Sequence, residues 1–157
     1  MSFRLKLYIQ IALDIQELPG AHNLHRWVEA ALTGAKYKGK QAELTIRMVN
    51  EKESADLNEA YRYKKGPTNI LSFPFAAPIK ISPLGDIVIC APVVIREAIN
   101  LGINLDAHLA HLVVHGVLHL LGHDHDNEDK ANIMESLEIR ILAWLGYPDP
   151  YGDLQDS

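Results

Sequence analysis

The segment His115-Gly116-Val117-Leu118-His119-Leu120-Leu121-Gly122-His123-Asp124-His125 sets two imidazoles four residues apart, then a glycine, then a third imidazole six residues after the second. Residues i and i+4 of a helix share a face, with Cβ atoms ~6 Å apart. Two imidazole nitrogens so placed can reach one Zn²⁺ at about 2.0–2.1 Å. Gly122 can adopt the left-handed conformation that ends a helix, so the chain can turn back and offer His125 as a third ligand. Three protein ligands leave one position of a tetrahedron open, which separates a catalytic zinc from a structural one.

His108, His111, His115 and His119 all fall on one stripe of the same predicted helix, and one ion cannot take them all. At about 1.5 Å per residue, His111 and His119 lie ~12 Å apart along the axis. The choice is between the pairs 111/115 and 115/119. The second is preferred, because only His119 is close enough to the Gly122 turn for a residue beyond it to close the site. His111 and His108 become supporting or surface residues. The bland alternative is a histidine-rich helix whose imidazoles are satisfied or exposed. Asp124, Asp126, Glu128 and Glu135 occupy positions 1, 3, 5 and 12 of an EF-hand-like loop, but the sixth is Asp129 where the sharp turn needs glycine. Residues 126 to 129 read better as the cap and acidic first turn of a following helix.

At 157 residues and 48% hydrophobic, the chain suits one domain, 1–157, with a full core and no disulfide staples. Cys90, the single cysteine, sits in the apolar run Ile87 to Ala91 and reads as a small buried hydrophobe in a reducing compartment. The N-terminus lacks the apolar segment of a signal peptide, and no stretch approaches the ~20 apolar residues of a membrane span. A cytoplasmic protein with no membrane partner is expected. The net charge of −5 argues against a general nucleic-acid coat. It leaves room for a local basic cleft around Arg62, Lys64 and Lys65, which as an isolated cluster would read as a solvated turn.

Leu5 to Leu13 alternate with polar residues in a strand, and Leu24, Trp27, Val28, Ala31 and Leu32 follow helical spacing until Gly34 stops them. Leu44, Ile46 and Met48 mark a second strand. Asn50 with Glu53 resembles a capping arrangement opening a helix to about Tyr61. Ile70 to Phe73 form a strand whose Pro74 suggests a sheet edge or a bulge; Asp86 to Cys90 form a buried one, with Pro92 opening the next helix. A helix over 105–121 offers Leu109, Leu112, Val113 and Leu120 to the core. The last, over 128–145, carries Ile133, Met134, Leu137, Ile141 and Trp144 and ends at Gly146. This is an α+β single domain, a small mixed β-sheet packed against about five α-helices, with the metal site on a long central helix and the turn after it. The tail from Asp149 to Ser157 is polar and expected to be loosely ordered.

The chain resembles the YbeY family of bacterial single-strand-specific endoribonucleases. The resemblance rests on Leu57-Asn58-x-x-Tyr61-Arg62, Lys64, the run Pro67 to Pro74, Gly85-Asp86-Ile87, the block His115 to His125, and Leu145-Gly146-Tyr147 before Asp149-Pro150-Tyr151. It implies His115, His119 and His125 as the zinc ligands, one ion per chain, and catalytic roles for Arg62 and His115. It further implies a substrate of single-stranded RNA, namely the 3′ end of 16S ribosomal RNA, and a part in ribosome quality control with the ribosomal particle or a ribosome-associated protein as partner. Lys65 departs from the aspartate common in relatives; a base there strengthens phosphate attraction.

Zinc metalloproteases carry H-E-x-x-H, the glutamate deprotonating the bound water. Here that position is Gly116, which weakens the peptidase reading. RNA cleavage suffers less, because a metal can itself lower the pKa of a bound water or act on a phosphoryl oxygen. Arg62 suits the role of a permanently charged fork on phosphate oxygens, with Lys64 and Lys65 as further RNA contacts. His111, His123 and Asp124 are candidates for proton transfer or for orienting a ligand. The rival of different class is a metal-stabilised ribosome-assembly factor that binds RNA or ribosomal protein with little cleavage of its own.

Overall fold

Strand alternation and helical spacing resolve into nine elements in the computed structural model, which describes residues 3–16, 18–75 and 83–152. They are β1 (Arg4–Ile11), α1 (Ala21–Gly34), β2 (Gln41–Val49), α2 (Glu51–Arg62), β3 (Ile70–Pro74), β4 (Pro83–Cys90), α3 (Ala91–Leu101), α4 (Leu105–Leu120) and α5 (Glu128–Leu145). Three helices start on an asparagine: Asn50, Asn104 and Asn127 accept from the backbone N–H of Glu53, Ala107 and Lys130. Each satisfies an orphan donor of a first helical turn.

The sheet runs β1-β2-β4-β3, with β1, β2 and β4 parallel and β3 antiparallel at the edge. The edge position suits Pro74, which has no N–H to give to a further strand. Alternate residues of β2, from Ala42 through Leu44 and Ile46 to Met48, point into one large core together with Leu24, Trp27, Val113, Val117 and Ile141 from α1, α4 and α5. A full burial of each such side chain stabilises by roughly 1.5–3 kcal/mol. The opposite face is covered only in part: Val49, Leu71, Val88 and Cys90 form a smaller cluster with Leu57 of α2.

Two details of the helix packing bear on the site. α1 does end at Gly34, but Gly34 is not in the left-handed conformation; a Cβ there would run into Ile141 Cγ1, so it is the point where α5 crosses α1 closely. In α5, Ile133 and Trp144 are exposed at 57% and 59%, while Met134, Glu138, Ile141, Leu142 and Leu145 face inward. The inward stripe is apolar but for Glu138, which has partners inside.

Candidate metal centre and its cleft

α4 is the axle of the domain, with Leu109, Val113, Val117 and Leu118 buried on its core side. Gly116 lies against the sheet: a Cβ there would meet Ile87 Cδ1 at 3.0 Å and Ile70 Cδ1 at 3.1 Å. Larger side chains would push α4 off the sheet, so the residue after the first histidine is small for packing. A glutamate at that position would be aimed at isoleucines, which disposes of the protease geometry on physical grounds.

His115 and His119 lie one helical turn apart on the other side of α4. The helix ends as expected: Gly122 has φ 98°, its N–H donates to His119 O, and His123 N–H donates to Leu118 O. The chain then doubles back to the Asn127 cap of α5, which carries His125 over the end of α4. The rings of His115 and His119 are centred 4.6 Å apart, those of His119 and His125 5.2 Å, and those of His115 and His125 5.6 Å. One ring nitrogen from each of the three lies within 4.8 Å of the others. His115 Nε2 and His119 Nε2 are 3.1 Å apart. Two nitrogens on one tetrahedral ion at 2.0–2.1 Å stand about 3.3 Å apart, so the His115–His119 pair already has the spacing of two ligands on one ion, and His125 is close enough to join them. Burial, and then the charges of His115 and His125, hold the His119 pKa down at about 4. Its lone pair is therefore free at neutral pH.

Glu138 is the residue that sequence reasoning missed. Its side chain is buried, yet it is a carboxylate. Its Oε2 accepts from His115 Nδ1 at 2.7 Å, and its Oε1 accepts from His111 Nε2 at 2.9 Å and from the Tyr151 hydroxyl. Burial pushes its pKa up, but the three donors outweigh this and bring it to about 2. Accepting the Nδ1 proton fixes the His115 tautomer and turns Nε2, as a lone pair, toward His119 and His125. The signal was available: Glu138 is four residues after Met134 and three before Ile141, a charge on an inward stripe. The same contacts tie Tyr151 to the site, its hydroxyl bound to Glu138 and its ring edge-on against His111. Residues 153 to 157 lie outside the described residues.

The trio opens into a cleft of about 520 Å³ walled by β3, the loop before it and the end of α2. Arg62, the last residue of α2, lines it, with Tyr61, Asn69 and Phe73. Its wall is held from behind. Ser54 Oγ donates to Thr68 O and accepts from Thr68 N–H, and Asn58 Nδ2 donates to Gly66 O. Asn69 Nδ2 donates to Glu97, whose carboxylate also meets the buried ring of His108 at 2.9 Å. His108 thus serves the cleft wall rather than the metal. Lys64 and Lys65 are exposed on the turn after Arg62 and do not line the cleft. His123 makes no side-chain hydrogen bond to the trio. Asp124 caps its own loop, accepting from Asp126 N–H, with Lys130 Nζ 3.8 Å away.

Fold and site together define a class: a single-domain α+β protein whose three-imidazole group can hold a metal ion at a cleft open to solvent. A family profile described as Endoribonuclease YbeY matches residues 10–146. Relatives carrying that name include proteins of Nitrosococcus oceani, 52% identical over 151 residues covering 94% of this chain and 97% of the relative, and of Stenotrophomonas maltophilia, 51% identical over 154 residues covering 94% of each. The solution structure of TM1509 from Thermotoga maritima superposes with a TM-score of 0.61 at 25% identity, over 94% of this chain and 97% of that one. The chain belongs to the endoribonuclease YbeY family, and it is accordingly a hydrolase that acts on RNA. Among the described residues no helix is long and apolar enough to cross a membrane.

Proposed function

We propose that the protein is a zinc-dependent, single-strand-specific endoribonuclease that matures the 3′ end of 16S ribosomal RNA and takes part in ribosome quality control. It works in the cytoplasm, on the ribosomal particle or beside a ribosome-associated protein. The observation that carries the reading is the meeting of His115, His119, His125 and Arg62 in one cleft. His115, His119 and His125 would hold one ion per chain; an all-imidazole donor set suits zinc and disfavours magnesium and calcium, which take oxygen ligands. When bound, the ion supplies a water of lowered pKa or a Lewis acid on a phosphoryl oxygen.

The remaining work falls to the chain's own residues. Arg62 has no carboxylate partner among the described residues, so its guanidinium is free to clamp phosphate oxygens and offset charge that builds on them. Glu138 keeps His115 in one tautomer, and His111 helps to hold Glu138. Lys64 and Lys65 attract the strand from the rim. The cleft admits a few nucleotides of flexible strand, while an acidic protein of net charge −5 is poorly matched to the phosphate surface of a duplex.

The test is to load purified protein with zinc and offer it a single-stranded RNA and the same RNA annealed to its complement, with and without chelator. Cutting confined to the single strand and abolished by the chelator is expected. Binding without cleavage would give the assembly-factor reading instead. Replacing Arg62 by lysine keeps the charge but removes the planar fork. This variant is expected to bind zinc normally and fold normally but to cleave about 10²-fold more slowly, in the range for loss of one preorganised charge contact. Wild-type single-turnover rates would reduce Arg62 to a surface charge.

A further inference from the structure

We infer that a second RNA-binding site lies at the β1 edge of the sheet, where Arg4, Lys36, Lys38 and Lys40 take the phosphates of the single strand as it leaves the metal cleft. This rests on RNA being the substrate.

Outside the turn from Arg62 to Lys65, this edge is where exposed cations without carboxylate partners gather in number. Several cations elsewhere are neutralised: Arg47 by Glu53, Lys52 by Asp56, Arg96 by Glu51. Arg4, Lys36, Lys38 and Lys40 are all exposed and have no carboxylate partner among the described residues. Lys6, also exposed, stands opposite Glu43 in the strand register, so its charge is partly offset. Lys36 follows the end of α1, where a cation complements the helix dipole. That account does not extend to Lys38, Lys40 or Arg4. Unpaired like charges gathered on an acidic protein repel each other unless an anion is shared between them.

The patch is also built rather than loose. The Tyr37 hydroxyl donates to Gln41 O at 2.7 Å, and its ring meets Phe3 edge-on at 5.8 Å. A Cβ on Gly39 would stand 2.3 Å from the Tyr37 hydroxyl oxygen, so the glycine leaves space for that ring. Arg4 N–H donates to Lys40 O at 2.8 Å, holding those two residues side by side. Between them lies a hollow of about 390 Å³ lined by Phe3, Arg4, Lys40 and Gln41. Cations beside an aromatic ring in a hollow of this size suit a nucleotide, its phosphate on Arg4 and Lys40 and its base against Phe3.

The position relative to the cleft is right for a continuous strand. Leu7, Leu44, Gly85 and Pro74 lie in one row across the sheet, and Pro74 lines the metal cleft. Arg4 and Gln41 are three residues from that row on the far side of the sheet. With strands about 4.8 Å apart and about 3.3 Å per residue, hollow and cleft are about 17 Å apart. A few unstacked nucleotides cover that span. Exposed Tyr8 and Phe75 lie between, in a depression that shares Phe73 and Pro74 with the cleft; Glu43 and Asp86 also line it, so the strand would cross there on its bases and not on its phosphates.

The experiment compares zinc-loaded wild type with Arg4→Gln/Lys40→Gln, and with Lys52→Gln/Arg96→Gln as a control of equal net charge. Each is given single-stranded RNAs of about 4 and about 12 nucleotides, below and within the reach of an extended site. Cleavage of the short RNA by wild type reports the endoribonuclease activity independently. The edge variant is expected to bind the long RNA on the order of tenfold more weakly, with a salt slope shallower by about 1.4, the value for two lost single-strand phosphate contacts. Its handling of the short RNA should be unchanged. Equal losses in the edge and control variants, or equal losses on both RNAs, would overturn the site. Should the edge variant fold poorly, wild type photocrosslinked to a 4-thiouridine version of the long RNA decides: adducts within residues 3–4 or 36–41 support the site, and adducts confined to the metal cleft refute it.

Discussion

Replacing His119 by alanine is expected to remove stoichiometric metal binding, and with it cleavage, whereas replacing His111 by alanine is expected to leave about one zinc per chain. Both histidines are on α4 and both were candidates by spacing, so the pair is a sharp test. His119 presents Nε2 to His115 Nε2 at 3.1 Å, and one of its ring nitrogens belongs to the group that can surround one ion. His111 Nε2 is turned away, bonded to Glu138 and the Tyr151 hydroxyl. Losing one of three ligands leaves two, which the open centre of a catalytic zinc does not tolerate. Since metal assistance contributes several kcal/mol to such a reaction, activity should fall at least a hundredfold. The measurement is metal content by elemental analysis beside single-turnover cleavage. Full stoichiometry in His119→Ala, or its loss in His111→Ala alone, would reassign the ligands.

Glu138→Gln is expected to lower both stability and metal affinity. Three donors converge on Glu138: His111, His115 and the Tyr151 hydroxyl. An amide has one oxygen to offer them, and its NH₂ faces a donor. Breaking a buried charged network of this kind costs about 3–5 kcal/mol. An outer partner of a metal-bound histidine is worth about 10–100-fold in affinity. The sign of the acid effect follows from the depressed pKa. A carboxylate held at about 2 in the fold, below its ordinary 4.5, contributes stability that is present above pH ~4.5 and lost as the pH falls toward 2. Metal-free wild type should therefore lose stability across that window, and Glu138→Gln should lose less of it because the titrating group is gone. Urea unfolding from pH 6 to pH 2.5 checks this. Parallel curves for the two proteins would show that Glu138 does not carry the acid dependence.

The histidine spacing, the Gly122 turn, the strand alternation and the Asn50 cap were legible along the chain because each is a local matter: a helical period, a positive φ, a pleat, a first-turn hydrogen bond. So the amino-acid sequence alone determined an α+β domain with a mixed sheet and the membership of the imidazole trio, while the strand order decided that Pro74 lies at an edge and not in a bulge. Arg62 was picked out by likeness to a family and a basic turn; its place in the wall of the metal cleft depends on how α2 lies beside β3. Tertiary structure alone decided which partners Glu138 meets on the inward face of α5. Met134, Ile141, Leu142 and Leu145 share the inward face with Glu138, and His111, His115 and Tyr151 supply the donors that a buried carboxylate needs. Glu138 thus faces the histidines, while Ile133 and Trp144, off that stripe, are exposed. Tyr151 joins Glu138 from thirteen residues along the chain and His111 from forty, separations over which no periodicity speaks. Gly34 and Gly116 make the same point at the level of packing. Each reads as punctuation or as a missing base in the sequence, and each proves to be the place where another element comes too close for a side chain.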